Sequence, residues 1–448
     1  MSKSLFITTV IIVCVYCSIF HFGCTKKNYT DLKARQSTGW TKNAVIYKIN
    51  LRSFSKVGTL KALETQIPEL KELGITVISL MPIHPIGELS RKGVLGSLDA
   101  VKDFYAVNPE FGTLEDFKSL VSATHQQGLK FIMNLVINQA AWDNQLIIEH
   151  PDWFVHNEEG AIIAPNAECG DAAQIDYNQH EVRKYMIAMM RFWIQEIGID
   201  GFQCRSAELV PTDFWEIARN ELDKIKPVLM ISDSRLPEHH LKAFDITCSW
   251  NMENTITNII DGTISASIIN DSLNAEFNEF PKGSLHLRFI TGHTLTENDP
   301  NIKISSPQTK NVIAMLALTL PGVPLIDSDD EAGDNKKIKL SDKLNEDFIK
   351  LHRHHPALQY GEYRIVQNSD CSHILSFMRF SGKDSVLAIV NFAYGKNEAE
   401  ILMPAGASLL WKNQFSGVTC KLENSRIKLS MVPLDFLMLV PSSEKEMQ

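Results

Sequence analysis

The sequence of 448 residues contains few cysteines, and the five that lie beyond residue 24 are scattered, without the spacing of a metal site. Zinc and iron–sulfur sites need cysteines in closely spaced pairs, which these five do not form. We therefore expect no metal site, and we expect the cysteines of the main chain body to be mostly buried small apolar side chains. Three of the eight are Cys14, Cys17 and Cys24, and the others are Cys169, Cys204, Cys248, Cys371 and Cys420.

Sequence motifs typical of nucleotide binding and of serine hydrolases are also missing. The sequence has no glycine-rich phosphate loop of the P-loop type, and no Ser, His and Asp residues in a recognisable catalytic-triad order. The formal net charge is -9, and no stripe rich in lysine and arginine stands out. We expect no cofactor and no nucleic-acid partner.

The N-terminus carries a membrane-targeting pattern. Lys3 precedes an apolar run over residues 5–22, and Gly23, Cys24 and a polar stretch follow. This pattern predicts a bacterial lipoprotein signal peptide over residues 1–23, with Cys24 acylated. An uncleaved anchor helix is the alternative, because a run of this length can just span a bilayer. Both interpretations predict a membrane-attached, extracytoplasmic protein, in the periplasm or on the outer-membrane surface. Residues 24–39 are interpreted as a tether.

Short apolar runs alternate with segments of helical spacing over residues 40–356. Such alternation predicts an α/β protein with a parallel sheet, and eight units favour a (β/α)8 TIM barrel. Residues 60–73 have the spacing of one helix. Residues 138–180 interrupt this alternation of strands and helices, and a segment of this length predicts a small inserted subdomain after strand 3. The predicted strands cover residues 45–50, 75–81, 129–136, 199–204, 228–232, 244–248, 287–291 and 324–327.

The pattern of apolar and polar residues changes at residue 357. From there to residue 448, short alternating runs are separated by Gly, Asn and Ser turns. This pattern predicts a C-terminal antiparallel β-sandwich.

Several ordered segments resemble the alpha-amylase family, glycoside hydrolase family 13. AVIY at 44–47 with RSF at 52–54 is similar to the family's first strand. DFYAVNPEFGTLEDF at 103–117 is similar to the signature before strand 3. GIDGF at 198–202 and LPGVPLI at 320–326 are similar to the fourth and eighth strands. The resemblance implies a barrel, a subdomain after strand 3, a C-terminal β-sandwich, and retaining hydrolysis or transfer of α-linked glucans.

The retaining route needs a carboxylate nucleophile and a carboxylic acid about 5–5.5 Å apart. The resemblance implies catalytic groups at the ends of strands 4, 5 and 7. Arg205 stands at the nucleophile position, Asp233 at the acid position, and Thr294 at that of the third carboxylate. A guanidinium only donates hydrogen bonds and stays protonated, so Arg205 cannot attack a sugar. Asp233 keeps a carboxyl group one methylene shorter than the family's Glu.

Other family positions are changed as well. Asn134 and Gln139 replace the Asp and His of strand 3, and Asp99 stands where a stacking Tyr is expected. Asn138 alone offers too few oxygens for calcium. The predicted ligand-binding residues are His293, Gln203, Asn138, Gln139, Asp99 and Trp142.

A buried arginine needs a partner, because an isolated charge is costly to desolvate. We expect Arg205 to pair with Asp233, and also with Asp99. Trp142 and Trp153 lie in the predicted subdomain, where they either stack on sugar rings or pack in the core.

Three functions are compatible with these residues. The first is a non-catalytic lipoprotein that binds α-glucans or serves as a subunit of a glycan-handling complex. The second is an active glycoside hydrolase or transferase with altered catalytic groups. The third is a structural, membrane-anchored partner of another protein.

Overall fold

The computed structural model describes residues 28–289, 306–328 and 343–442. Eight parallel strands close into a barrel in the order β1-β10-β9-β8-β7-β6-β3-β2. The predicted (β/α)8 barrel is confirmed, and each of its strands overlaps a predicted apolar run. The barrel strands are β1 (Ile46–Ile49), β2 (Val77–Leu80), β3 (Lys130–Leu135), β6 (Gly201–Cys204), β7 (Leu229–Ser232), β8 (Ile246–Cys248), β9 (Leu285–Arg288) and β10 (Val323–Asp327).

Apolar side chains from alternate strand positions fill the barrel interior. Because side chains alternate across a strand, one set points inward and the next packs against the surrounding helices. The inward set forms one buried cluster, which includes Ile46, Val77, Ile132, Leu229, Ile231, Ile246, Leu287, Val323 and Leu325.

Helices surround the barrel and connect its strands. The stretch predicted as one helix over residues 60–73 is two, because Pro68 lacks a backbone N–H and sits in the first turn of the second helix. The helices are α1 (Leu51–Phe54), α2 (Leu60–Glu64), α3 (Ile67–Leu73), α4 (Leu114–Gln126), α5 (Gln145–Glu149), α6 (His180–Phe192), α7 (Thr212–Asp223), α8 (His239–Lys242), α9 (Trp250–Ile260), α10 (Ile268–Glu279), α11 (Pro307–Thr319), α12 (Lys343–His354) and α13 (Pro356–Tyr360).

The segment after β3 contains a two-stranded antiparallel sheet of its own. Strand β4 (Gln139–Ala141) pairs with β5 (Ala172–Gln174). Ala141 donates a backbone hydrogen bond to Val101 at 2.8 Å, so the segment is joined to the loop that follows β2.

The C-terminal region forms two antiparallel sheets, which agrees with the predicted β-sandwich. One sheet has six strands in the order β11-β13-β14-β19-β16-β17, and the other has three in the order β12-β15-β18. These strands are β11 (Glu362–Ile365), β12 (Gln367–Asn368), β13 (Ile374–Ser381), β14 (Asp384–Asn391), β15 (Asn397–Leu402), β16 (Leu410–Asn413), β17 (Thr419–Lys421), β18 (Arg426–Met431) and β19 (Asp435–Ser442).

Residues 28–43, here called the N-terminal strap, lie against the barrel. Ala34 donates a hydrogen bond to the Lys282 carbonyl at 3.0 Å, and Arg35 donates one to the His240 carbonyl at 2.8 Å. The part of the predicted tether that falls within the described residues is therefore packed on the barrel. Its side chains are mostly exposed or half-buried, so the strap lies on the surface of the barrel.

Two further expectations concern burial and membrane spans. Cys204 and Cys248 are buried, but Cys371 is exposed and Cys169 and Cys420 are half-buried, so the expected burial of the cysteines is only partly correct. Within residues 28–289, 306–328 and 343–442, no helix combines the length and apolarity needed to cross a membrane.

Candidate functional site at the barrel mouth

The candidate site lies where the barrel strands end. In barrels of this kind, the loops after the strands' C-terminal ends build the functional site. Above the apolar interior, the strands present polar side chains inward. Lys48 belongs to β1, Gln203 belongs to β6, and Asp233 directly follows β7.

Arg205 follows β6 and points toward the loop after β2. Its backbone N–H bonds to the Leu135 carbonyl at 2.9 Å, which continues the pairing of β3 with β6. Its guanidinium Nη2 lies 3.2 Å from Oδ2 of Asp99. The next residue, Ser206, has a φ of 47°, a left-handed conformation that is uncommon outside glycine. The chain thus turns sharply just after the position that the family resemblance assigns to the nucleophile.

The partner of Arg205 is Asp99 rather than Asp233. Among the described residues, Asp99 is the carboxylate within ion-pair distance of this guanidinium. The expected pair with Asp233 is therefore wrong, and the expected pair with Asp99 is confirmed. The two side chains are 33% and 31% exposed, so solvent screens the pair and its net stabilisation is small.

Asp233 is held in a different environment. Its N–H bonds to the Cys204 carbonyl at 2.9 Å. Its Oδ1 is inaccessible and has no hydrogen-bond partner among the described residues. Burial raises the pKa of the Asp233 carboxyl, and the charge of Arg205 only partly offsets this. A carboxyl with a raised pKa can hold a proton at a pH where an ordinary aspartate cannot.

Three neutral polar side chains at the mouth are hydrogen-bonded in a chain. Ser79 Oγ donates to Gln203 Oε1 at 3.0 Å. Asn134 Nδ2 donates to Ser79 Oγ at 2.9 Å and to the Leu80 carbonyl at 3.1 Å. This chain of hydrogen bonds satisfies three buried polar side chains without a charge. The position that the family resemblance assigns to an Asp on strand 3 therefore contributes an amide rather than a carboxylate.

A side chain of the inserted segment hydrogen-bonds to the backbone of Asp99. Gln139 Nε2 donates to the backbone carbonyl of Asp99 at 3.1 Å, and Asn138 Nδ2 donates to Gln139 Oε1 at 3.3 Å. Asn138 and Gln139 are buried, so their amides are occupied within the protein. The Trp142 indole donates to the Gly170 carbonyl at 2.9 Å, and the ring is half-buried. Ligand binding by these side chains stays a prediction.

One ion pair at the mouth was not anticipated from the sequence. Lys48 Nζ lies 2.7 Å from Asp327 Oδ2, and the two side chains are 14% and 1% exposed. They are neighbours in register on β1 and β10. The available signal was a lysine at an inward position of an otherwise apolar strand, because such a charge requires a buried partner.

Three predicted residues lie outside the described part of the chain. They are Cys24, His293 and Thr294. Among the residues that the structure does describe, no group of three or more His, Cys, Asp or Glu side chains is arranged to hold a metal ion.

A guanidinium follows β6 and a carboxyl group follows β7, at positions where the family resemblance implies the two carboxyl groups of the retaining route. The barrel, the insertion after β3, the C-terminal sheets and a polar mouth define a protein of the glycoside hydrolase class.

Comparison with known proteins identifies the family. The alpha-amylase catalytic domain matches residues 33–240. A noncanonic maltogenic alpha-amylase from Thermotoga neapolitana is 30% identical with a TM-score of 0.81, covering 90% of this chain and 99% of that one. An alpha-amylase from Lactobacillus plantarum is 23% identical, with a TM-score of 0.77 and the same coverage. The chain belongs to the alpha-amylase family.

Curated relatives are longer than this chain. Alpha-amylase 3 of Dictyoglomus thermophilum is 24% identical over 339 residues, which cover 66% of this chain and 65% of that protein. Trehalose-6-phosphate hydrolase of Bacillus subtilis is 31% identical over 40% of this chain, which spans 37% of that protein.

Proposed function

We propose that this chain is a membrane-attached, extracytoplasmic member of the alpha-amylase family that binds α-glucans without hydrolysing them. The observation that carries the proposal is the ion pair between Arg205, at the position of the nucleophile, and Asp99. A guanidinium has no lone pair with which to attack an anomeric carbon, and its positive charge opposes an oxocarbenium-like transition state.

Glucan binding is supported by what remains accessible at the mouth. Arg205 and Asp99 are each about one-third exposed, and together they offer donors and acceptors to sugar hydroxyls. The ring of Trp142, on the inserted segment, is half-buried. The alpha-amylase from Geobacillus thermoleovorans, which is 18% identical, was solved with acarbose bound. We infer a ligand of the same α-linked class.

The test combines turnover with binding. Full-length protein is incubated with malto-oligosaccharides, starch and pullulan, and reducing-end release is measured against the Asp233→Ala variant. We expect no release from either protein. Binding is measured in parallel by affinity electrophoresis through starch and pullulan gels, where we expect retardation that Asp99→Ala weakens. Absence of retardation would contradict glucan binding and favour the structural partner role, in which the barrel supports another protein of a glycan-handling complex.

A second candidate is a hydrolase or transferase with altered catalytic groups. The observation in its favour is Asp233, which keeps a carboxyl group with a raised pKa, as a general acid requires. Reducing-end release that disappears in Asp233→Ala would establish this candidate and overturn the first.

A further inference from the structure

The N-terminal strap crosses the end of the barrel opposite the mouth. Lys33 pairs in parallel with Lys282, which lies three residues before β9 begins. Further along, Trp40 packs beneath the apolar interior of the barrel, and Lys130, the first residue of β3, lies 5.7 Å from its ring. These contacts are all with the N-terminal ends of strands, so the strap spans that face.

The strap is fastened by buried charges. Arg35 Nη1 lies 2.6 Å from Asp245 Oδ1, and Asp245 is fully buried just before β8. Arg219 contacts the other oxygen of the same carboxylate at 2.7 Å. Breaking a pair with a buried carboxylate is costly because it leaves that charge without one of its partners, so this contact holds the strap on the barrel.

The outer surface beside the strap carries two exposed lysines and exposed apolar side chains. Lys33 and Lys282 are exposed neighbours, and neither forms an ion pair with any described residue. Leu32 is 37% exposed, and Phe277, in the last turn of α10 at the same end of the barrel, is 55% exposed. Asp31 on the strap and Glu279, three residues before Lys282, are exposed acidic side chains nearby. Two adjacent lysines repel one another, and an anionic surface attracts both.

The sequence before the strap supplies the candidate surface. The apolar run over residues 5–22 ends six positions before Asn28, and Lys26 and Lys27 lie between. Six residues reach at most about 20 Å. Whether Cys24 is acylated or the run is an anchor helix, the strap starts close to the bilayer.

We propose that the face formed by the strap and Lys282 lies on an anionic lipid bilayer, so that the barrel mouth opens away from the membrane. This inference rests on the membrane attachment proposed above, and it is independent of glucan binding. Basic and apolar side chains beside an attachment point are what an anionic bilayer surface attracts.

Lysine acetylation footprinting of the full chain tests the orientation. The protein is reconstituted in nanodiscs of phosphatidylcholine with or without phosphatidylglycerol, labelled briefly, and analysed by mass spectrometry. We expect Lys33 and Lys282 to react at least about threefold more slowly in the anionic discs. Lys92 at the mouth, and Lys383 on the C-terminal sheets, should react equally in both.

Matched variants separate charge from folding. Lys33→Glu with Lys282→Glu should abolish the lipid-dependent protection of Lys42, which lies on the same strap, whereas Lys383→Glu with Lys421→Glu should not. Protection of Lys92 instead, or equal labelling of Lys33 and Lys282 in both discs, would overturn the orientation. Failure of the chain to co-purify with the discs would overturn the attachment as well, and affinity electrophoresis in detergent would still report glucan binding separately.

Discussion

Arg205 and Asp99 join the end of β6 to the loop after β2 through an ion pair of 3.2 Å across the barrel mouth. The family resemblance assigns these two positions to other groups, a nucleophile and a stacking tyrosine. The pair therefore places a positive and a negative charge at positions where the resemblance implies a carboxylate and an aromatic ring. Each side chain provides the partner that the other needs.

The energetic value of this pair should be small. In a double-mutant cycle with Arg205→Met, Asp99→Asn and the combined variant, we expect a coupling free energy of about 0.2–1 kcal/mol, because both side chains are partly exposed. Urea unfolding of the four proteins measures it. A coupling well above this range would mean that the pair is needed for folding rather than for the chemistry of the mouth.

Supplying the carboxylates that the family resemblance implies should create turnover. A variant carrying Arg205→Asp, Asp233→Glu, Thr294→Asp and Asp99→Tyr has the groups of the retaining route at the positions that the resemblance assigns to them. We expect reducing-end release from malto-oligosaccharides at least about 10²-fold above a matched variant that has Arg205→Asn instead. Groups that act as a unit are strongly non-additive, so Arg205→Asp alone should give little. A folded fourfold variant without release would show that the scaffold has lost more than its carboxyl groups.

Acid should destabilise the barrel through buried histidines. Burial lowers the pKa of His239 and His286 from 6.5 to about 4. Between these values the unfolded chain binds protons that the folded chain does not, so the free energy of unfolding falls as pH drops from 6.5 toward 4. For each histidine, the difference between these two pKa values corresponds to about 3 kcal/mol in the free energy of unfolding.

Urea unfolding at several pH values checks this expectation. The free energy of unfolding should depend less steeply on pH in His286→Gln. In the unsubstituted protein, Nδ1 of His286 lies 3.1 Å from Thr247 Oγ1. His180→Gln, at an exposed position, serves as the control for the substitution itself. An equal slope in all three proteins would contradict the assignment.

Gly201 is required by the close approach of β6 and β7. A Cβ at this position would lie 1.9 Å from the Leu229 carbonyl oxygen, so backbone would have to move. We expect Gly201→Ala to cost more than about 4 kcal/mol or to prevent folding. Gly198→Ala is the control, because Gly198 has a φ of 92° but nothing near its Cβ position, and the strain there should cost about 1 kcal/mol. Similar thermal unfolding temperatures for both variants would contradict the steric argument.

The barrel was predictable from the sequence because each strand is a short apolar run, a signal that lies within neighbouring residues. The partner of Arg205 was not, because the choice between two carboxylates depends on where the loop of Asp99 is held, and Gln139 holds it. The position of the strap was not predictable either, because it too depends on a distant contact. The polar composition of the strap predicts a tether, but its main contact with the barrel is between Arg35 and Asp245, which are 210 residues apart in the sequence.

Removal of that attachment is the direct test of the strap. Arg35→Met leaves the buried Asp245 with Arg219 as its charged partner, and we expect a loss of about 1.5–3 kcal/mol in the free energy of unfolding, the usual cost of losing a charged hydrogen bond. Lys33→Met, on the exposed side of the same segment, should change it by less than about 0.5 kcal/mol. Urea unfolding measures both, and limited proteolysis should cut residues 28–39 faster in Arg35→Met alone. If the two variants behave alike, the strap is bound too weakly to orient the barrel, and the footprint expected at Lys33 and Lys282 loses its structural basis.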